Sequence, residues 1–248
     1  MIQNKIKITL ARIINHFGYD LHRIPDPFID QKNLIKGITG PVIFDVGAHH
    51  GQTSIMYSKL FKSGLIYSFE PYAESFKYLS TKVKRYDNIK PFNVALGNKV
   101  GKSKFYINPS SATNSLLPTD AKAPQIWGDG LLESTDQTEV DVVTIDSFVK
   151  KYEIKRIDIL KLDTQGTEYQ IIEGADMAFS EARIKVIYIE IITMPTYIGQ
   201  KELHEVLHII HAKGFKLHNF YNYSIINGKL RQLDAIFTYS GDSPSADF

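Results

Sequence analysis

Apolar and polar positions alternate along the chain with two different periods, and the change from one to the other marks out its elements. Residues 42–46, VIFDV, are apolar almost throughout, as in a strand covered on both faces. A glycine turn and a helical pattern over Thr53–Lys62 follow. Leu65–Phe69 reads as a second apolar strand and Tyr72–Val83 as a second helix, with a third strand over Ile89–Ala95. Further on come Ile157–Leu162 (strand), Thr167–Glu173 (helix), Ile184–Ile191 (strand) and Glu202–Lys213 (helix). Strands alternating with helices build βαβ units, so the spacing predicts an α/β fold with a mostly parallel sheet and helices on both faces. Phe215–Tyr221 and Gln232–Tyr239 flank Asn227-Gly228-Lys229, a hairpin signal that closes the sheet with an antiparallel edge.

Three segments interrupt this regularity. Residues 1–40 form an N-terminal helical segment, in which Ile2, Ile6, Leu10, Ile13 and Phe17 recur at helical spacing. That stripe is expected to pack on the main domain, which spans 41–240. Lys5, Lys7 and Arg12 lie off the stripe, and three charges are too few to favour a membrane-binding helix. An insertion over about 97–141 contains a strand at Lys104–Ile107, a long polar stretch and the single tryptophan, Trp127. A loop of that length suits a lid or an acceptor-binding segment. Residues 241–248 read as a frayed tail.

Composition narrows the function classes. The 248 residues are 43% hydrophobic, enough for a sizeable core. Net charge is +2 with scattered basic residues, which argues against nucleic acid as a partner. The absence of cysteine excludes disulfides, thiol nucleophiles and cysteine-bound metal, and fits a cytoplasmic location. No transmembrane segment and no signal peptide are expected. His204-Glu205-x-x-His208 matches a zinc-hydrolase pattern. Yet His204, His208 and His211 share one face of a helix whose other face is apolar, through Leu203, Val206, Leu207 and Ile210. A surface helix with no metal role is the expectation.

The candidate chemistry begins at Asp45-Val-Gly47-Ala-His49-His50-Gly51, where the first strand ends. In parallel sheets ligands sit at the carboxyl ends of strands. The glycines permit close backbone approach, and the next helix points free N–H groups at the ligand. The turn lacks the Gly-Lys-Ser/Thr of a phosphate loop and the Gly-x-Gly-x-x-Gly of a dinucleotide turn. Asp45 suits an ammonium group instead. Glu70 ends the second strand about 20 residues on, where a carboxylate accepts hydrogen bonds from ribose hydroxyls. An amino-acid end at Asp45 and a ribose at Glu70 describe S-adenosyl-L-methionine, with Pro71 or Tyr72 along the adenine. Asp163 ends the fourth strand of the parallel series, beside the expected cofactor, and Lys161 lies on the same strand face. Asp163 is a candidate base or acceptor ligand, oriented by Glu168. The same positions also suit a helix cap for Asp163 and a first-turn dipole partner for Glu168. Glu190 ends the fifth parallel strand at the same rim. His49 and His50 sit in the turn itself, one of them a candidate cofactor contact or base.

The motifs FDVGAHHGQTS, YSFEP, NVALGN, VVTIDSFV and DILKLDTQGTEYQIIEGA, in that order, resemble the FkbM-type methyltransferases. The resemblance runs from about Pro41 to Tyr239. It implies a Rossmann-like seven-stranded sheet and methyl transfer from S-adenosyl-L-methionine, mostly to hydroxyls. Cofactor contacts are implied at Asp45, Gly47, His49, Gly51, Thr53, Glu70, Pro71, Asn93, Val94 and Ala95, and catalytic roles at Asp163, Glu168 and Lys161. His49 stands where the family more often has Asn, and Gln165 where many members have Glu. The acceptor implied is a small molecule or glycan, such as a sugar or natural-product hydroxyl. A homo-oligomer is compatible with the sequence. A nucleoside-binding domain without catalysis is the alternative, and the acids Asp45, Glu70 and Asp163 speak against it.

Overall fold

The computed structural model describes residues 8, 12–17, 24–128, 130–181 and 183–241. Its frame is a seven-stranded sheet built from β1 (Val42–Val46), β2 (Leu65–Phe69), β3 (Ile89–Phe92), β7 (Ile157–Leu162), β8 (Ile184–Ile192), β9 (Phe215–Ile226) and β10 (Lys229–Tyr239). Their order across the sheet is β3-β2-β1-β7-β8-β10-β9. The first five of these are parallel, and β10 joins β8 and β9 antiparallel. The sheet is therefore Rossmann-like, with its chain reversal between β1 and β7.

Strand alternation divides the core into two layers. Phe44, Phe69, Leu160 and Ile187 face one layer. Ile43, Ile66, Ile159 and Val186 face the other. Register places Ile43 beside both Ile66 and Ile159. Continuous apolar runs are what burial on both faces demands. The hairpin turns at Asn227 and Gly228, both with positive φ (50° and 73°), the geometry of a tight two-residue turn.

Helices α2 (Gln52–Leu60), α3 (Ala73–Val83), α5 (Ile145–Lys151), α6 (Glu168–Glu173), α7 (Asp176–Ser180) and α8 (Leu203–Ala212) follow the strands. On α8 Val206 and Ile210 are buried, Leu203 and Leu207 pack against the same core, and His204, His208 and His211 are exposed. Helix α1 (Pro27–Leu34) is capped by the Asp26 carboxylate, which accepts from the N–H groups of Phe28 and Ile29. It is tied to the sheet domain: Tyr57 donates to Gln31 Oε1 at 2.7 Å and Tyr221 donates to Asp30 Oδ2 at 2.7 Å. Of the N-terminal stripe, Ile2, Ile6 and Leu10 lie outside the described residues; Ile13 and Phe17 are exposed. The tail from 242 onward also lies outside them. No helix among the described residues is long and apolar enough to cross a membrane.

Two expectations change. The third strand is not continuous over Ile89–Ala95: β3 ends at Phe92, and Ala95–Leu96 form β4 in a separate three-stranded sheet, order β4-β6-β5. The insertion is no open loop. It supplies β5 (Gly101–Ile107) and β6 (Asp136–Val143), paired antiparallel, plus the short helix α4 (Ala123–Trp127). Only Val140 and Val142 of β6 are buried, so this largely solvated strand left little apolar signal. Ala95, Phe105, Val140 and Val142 form its small core, joined by Tyr72 and Leu116.

Candidate functional site

A cleft of about 280 Å³ opens at the carboxyl ends of β2, β1 and β7. One wall is the turn from Val46 to His49, together with Gln52 and Thr53. Glu70, Pro71, Val94 and Ala95 form a second, and Lys161 with Asp163–Gln165 a third. Phe105, Ser111, Ala112, Asn114 and Leu116 of the insertion close over it.

Glycine is required at the floor. Gly47 has φ 75°, and a Cβ there would stand 1.8 Å from the Asp163 carbonyl oxygen. The glycine turn and the end of β7 thus touch through their backbones. Gly47 and Ala48 donate to the Phe69 carbonyl, which fixes the turn against β2. His49 also takes a positive φ, 46°. Its N–H donates to Glu70 Oε2 at 2.8 Å, while Tyr72 N–H donates to Oε1 at 2.9 Å. A carboxylate has about four acceptor sites, so two remain for a ligand. Glu70 is 6% exposed. Burial pushes its carboxyl up to about 7, against the lowering effect of those two N–H donors. The His49 ring stacks on His50 at 3.7 Å and its Nε2 lies 2.8 Å from Ser111 Oγ. Burial, followed by the neighbouring His50, pushes His49 down to about 4.

Asp45 does not reach the cleft. It is fully buried, accepts from Ser54 Oγ at 2.5 Å, and pairs with Lys161 Nζ at 3.2 Å. The expected ammonium contact is thus met inside the protein, by a lysine. Lys161 Nζ also donates to the Gly47 carbonyl at 3.1 Å and pairs with Asp163 Oδ2 at 3.2 Å. Burial alone would lower its proton affinity; the carboxylates of Asp163 and Asp45 more than offset this and hold it charged. Asp163 is 39% exposed at its side chain, the acid of this set that opens to the cleft.

Glu168, Gly51 and Asn93 stand behind the cleft lining. The Glu168 carboxylate accepts from Thr164 N–H at 2.7 Å, Thr164 Oγ1 at 3.1 Å and Gly166 N–H at 3.3 Å, which closes the loop after β7. Burial raises its proton affinity. The residue at the cap of α6 is Thr167, so Asp163 is not that helix's cap. Gly51 precedes α2 with φ 83° and packs on Leu79. Asn93 donates to the Glu70 and Pro71 carbonyls at 2.9 Å and so supports the second wall from outside. Glu190 is drawn to the rim of the same loop, where Gln165 Nε2 donates to it at 2.7 Å.

Two residue groups escaped the sequence reading. The cap residues Ser111–Leu116 lie in a polar stretch whose length marked the region but not the positions. Tyr197 lies in the segment after β8. Its hydroxyl shares its one hydrogen between the Thr113 carbonyl at 2.7 Å and Gln165 Oε1 at 3.0 Å, joining cap to loop. Trp127 Nε1 donates to Thr196 at 2.8 Å and holds the other end of the insertion. Among the described residues no cluster of His, Asp and Glu has the spacing to hold a metal ion.

A family model described as "Methyltransferase FkbM domain" matches residues 45–217. The 2-O-methyltransferase NoeI of Sinorhizobium fredii is 23% identical over 222 residues, covering 84% of this chain and 88% of its own. Methyltransferase 1 of Beauveria bassiana is 22% identical over 144 residues, 54% of this chain and 58% of its own. Among solved structures, the precorrin-6y C5,15-methyltransferase of Geobacter metallireducens superposes with a TM-score of 0.46 at 13% identity, covering 86% of this chain and 87% of that one.

Proposed function

The chain belongs to the FkbM methyltransferase domain family, and on that premise we propose that it methylates a hydroxyl of a sugar or natural product with S-adenosylmethionine as donor. The observation that carries this reading is the convergence of Glu70, the Gly47–His49 turn and Asp163 on one cleft. The residues present fit the cofactor. The turn has no Cβ at Gly47, so it closes against the Asp163 backbone and leaves a compact floor beneath the cleft. Glu70 keeps acceptor capacity for ribose hydroxyls, and Pro71, Ala95, Phe105 and Leu116 offer apolar surface to a purine. The cofactor supplies a methyl group already activated on a sulfonium.

What remains for the chain is alignment and proton removal. Asp163 takes the proton of the acceptor hydroxyl. Lys161 pairs with Asp163 and ties it to the cofactor turn through the Gly47 carbonyl. Glu168 serves indirectly, by shaping the loop that carries Asp163. Asp45 anchors Lys161. The insertion covers the cleft and bears the acceptor contacts. A hydroxyl acceptor is further supported by the activity in the name of the Sinorhizobium relative. We place the reaction in the cytoplasm, in keeping with the cysteine-free sequence.

Calorimetry with S-adenosylhomocysteine tests the cofactor assignment. Glu70→Ala is expected to weaken binding by about 1–3 kcal/mol, the scale of lost hydrogen bonds to a charged group. Binding equal to the parent's would remove the ribose role. Asp163→Asn is expected to bind like the parent and to lose transfer to a panel of nucleotide sugars and glycans by about 10²-fold or more. Near-parental transfer would move the base elsewhere. Cofactor binding without any turnover in the parent would favour a non-catalytic nucleoside-binding role.

A further inference from the structure

Gln165 occupies a place that no element of regular structure requires. Its backbone is left-handed, φ 59°, which is costly for a residue with a Cβ and is kept where the surroundings demand it. Those surroundings are polar and specific. Its Nε2 donates to Asp163 Oδ1 at 3.1 Å and to Glu190 Oε2 at 2.7 Å. Its Oε1 accepts from the Tyr197 hydroxyl at 3.0 Å, and its backbone carbonyl accepts from Ser115 Oγ at 2.7 Å. The amide orientation follows from chemistry, because the reverse would set a carbonyl oxygen against two carboxylates.

We propose that Gln165 is a positioning residue, whose two amide hydrogens hold Asp163 in the orientation used for proton removal and keep it apart from Glu190; this rests on Asp163 being the base. Asp163 is fixed on one oxygen by Lys161 at 3.2 Å and on the other by Gln165. Two-point fixation leaves the carboxylate no rotation, so its remaining acceptor sites keep one direction, into the cleft. A carboxylate side chain at position 165 has no hydrogen to donate when ionised. It would set a second carboxylate against Asp163 and leave Glu190 without this donor. An amide carries no charge and does both tasks at any pH.

The ionisable neighbours of Asp163 come from every surrounding element. They are Lys161 on β7, His49 on the turn after β1, Glu168 on α6, Tyr188 and Glu190 on β8, Tyr197 after β8, and Asp234 on β10. Glu190 is itself half-buried and its proton affinity is raised well above the ordinary value, by desolvation first and the charge of Asp163 second. Gln165 is the donor that bridges this acid to Asp163.

The test uses the full chain, labelled with ¹³C at the aspartate carboxyls and saturated with S-adenosylhomocysteine. The Asp163 resonance is the one missing from Asp163→Asn. Its pH titration is compared between the parent, Gln165→Gly and Gln165→Glu. Glycine accepts the left-handed backbone and removes only the side chain. Glutamate keeps the size and the acceptor for Tyr197 while losing the donor, so one variant stands in if the other melts early. Losing an N–H donor to the charged form is expected to move the titration midpoint to higher pH by about one unit in each folded variant. A packing role alone would not move it. With the acceptor panel, kcat is expected to fall while the KM for S-adenosylmethionine holds. Coincident titrations in parent and variants would overturn the Gln165 role and leave the base reading standing. Parental transfer by Asp163→Asn would remove both.

Discussion

At the scale of single residues, position decides what an ionisable group does. Asp45, Glu70 and Asp163 all lie at or next to the ends of strands, yet only the second and third line the cleft. Asp45 is spent on Lys161 and Ser54. His49 shows the same dependence and gives a pH prediction. Unfolded, its imidazole takes a proton near 6.5; folded, only near 4. Between those values the unfolded state binds more protons, so His49 costs the parent stability as pH falls from 6.5 toward 4. Glu70 works in the opposite sense. Its folded value, about 7, lies above the ordinary 4.5, so it favours the folded state as pH falls through that window. The two partly cancel in the parent. His49→Asn, which tolerates the positive φ, removes one of them. Thermal melts are expected to show the variant gaining on the parent between pH 7.5 and pH 5; a constant difference in Tm would refute the buried neutral imidazole.

At the scale of elements, the motifs separated along the chain meet in pairs. Gly97 follows β4 and Gly174 ends α6, and a Cβ on Gly174 would stand 2.0 Å from the Gly97 carbonyl oxygen. Gly174 has φ −81°, so its requirement is space and not backbone freedom. Gly174→Ala must push the small sheet away from α6. A loss of roughly 1–3 kcal/mol is expected, the range for overpacking, measured by denaturant unfolding. Unchanged stability would mean that the junction yields freely. The helix α8 illustrates how far spacing alone can mislead. Its histidines fit a metal pattern, but the element presents them outward and turns Val206 and Ile210 to the core. The second sheet illustrates the reverse. Strand β6 keeps two buried valines in eight residues, so its pairing with β5 left no clear period to read.

At the scale of the whole molecule, helix α1, which precedes β1, belongs to the packed body. Ile35 is 3% exposed and shares a core with Ile43 and Tyr57. Removing residues 1–40 would strand the buried Tyr57 hydroxyl without Gln31 and open that core. Deletion through residue 40 is therefore expected to lower Tm by several degrees or to prevent folding, by about the cost of an unpaired buried hydroxyl plus lost apolar contact. A truncated chain that melts with the parent would show that α1 adds nothing to the domain. The alternation of strands and helices was legible most sharply at β1, β2, β7 and β8, because these strands of the parallel set are buried on two faces; edge strand β3 buries only Ile89 and its end was misread. Apolar character then runs along each of the four, and period and length identify it without knowledge of neighbours. The hairpin was legible because Asn-Gly between two apolar runs readily supplies the two consecutive positive φ values of a tight turn. Two of the cleft's walls were legible for a related reason: Glu70 and Asp163 directly follow the last residues of apolar strands, at the rim, whereas Asp45 lies inside β1 and is buried. What lies over and behind that rim was decided only in three dimensions. Asp45 and Lys161 lie on adjacent strands in register, 116 residues apart in the chain, and their pairing turns a candidate ligand contact into an internal anchor. Tyr197, Ser115 and Gln165 meet through hydrogen bonds whose partners are set by loop closure, which carries no periodicity. A local pattern fixes which face an element buries. It does not fix which distant polar group will be there to meet it.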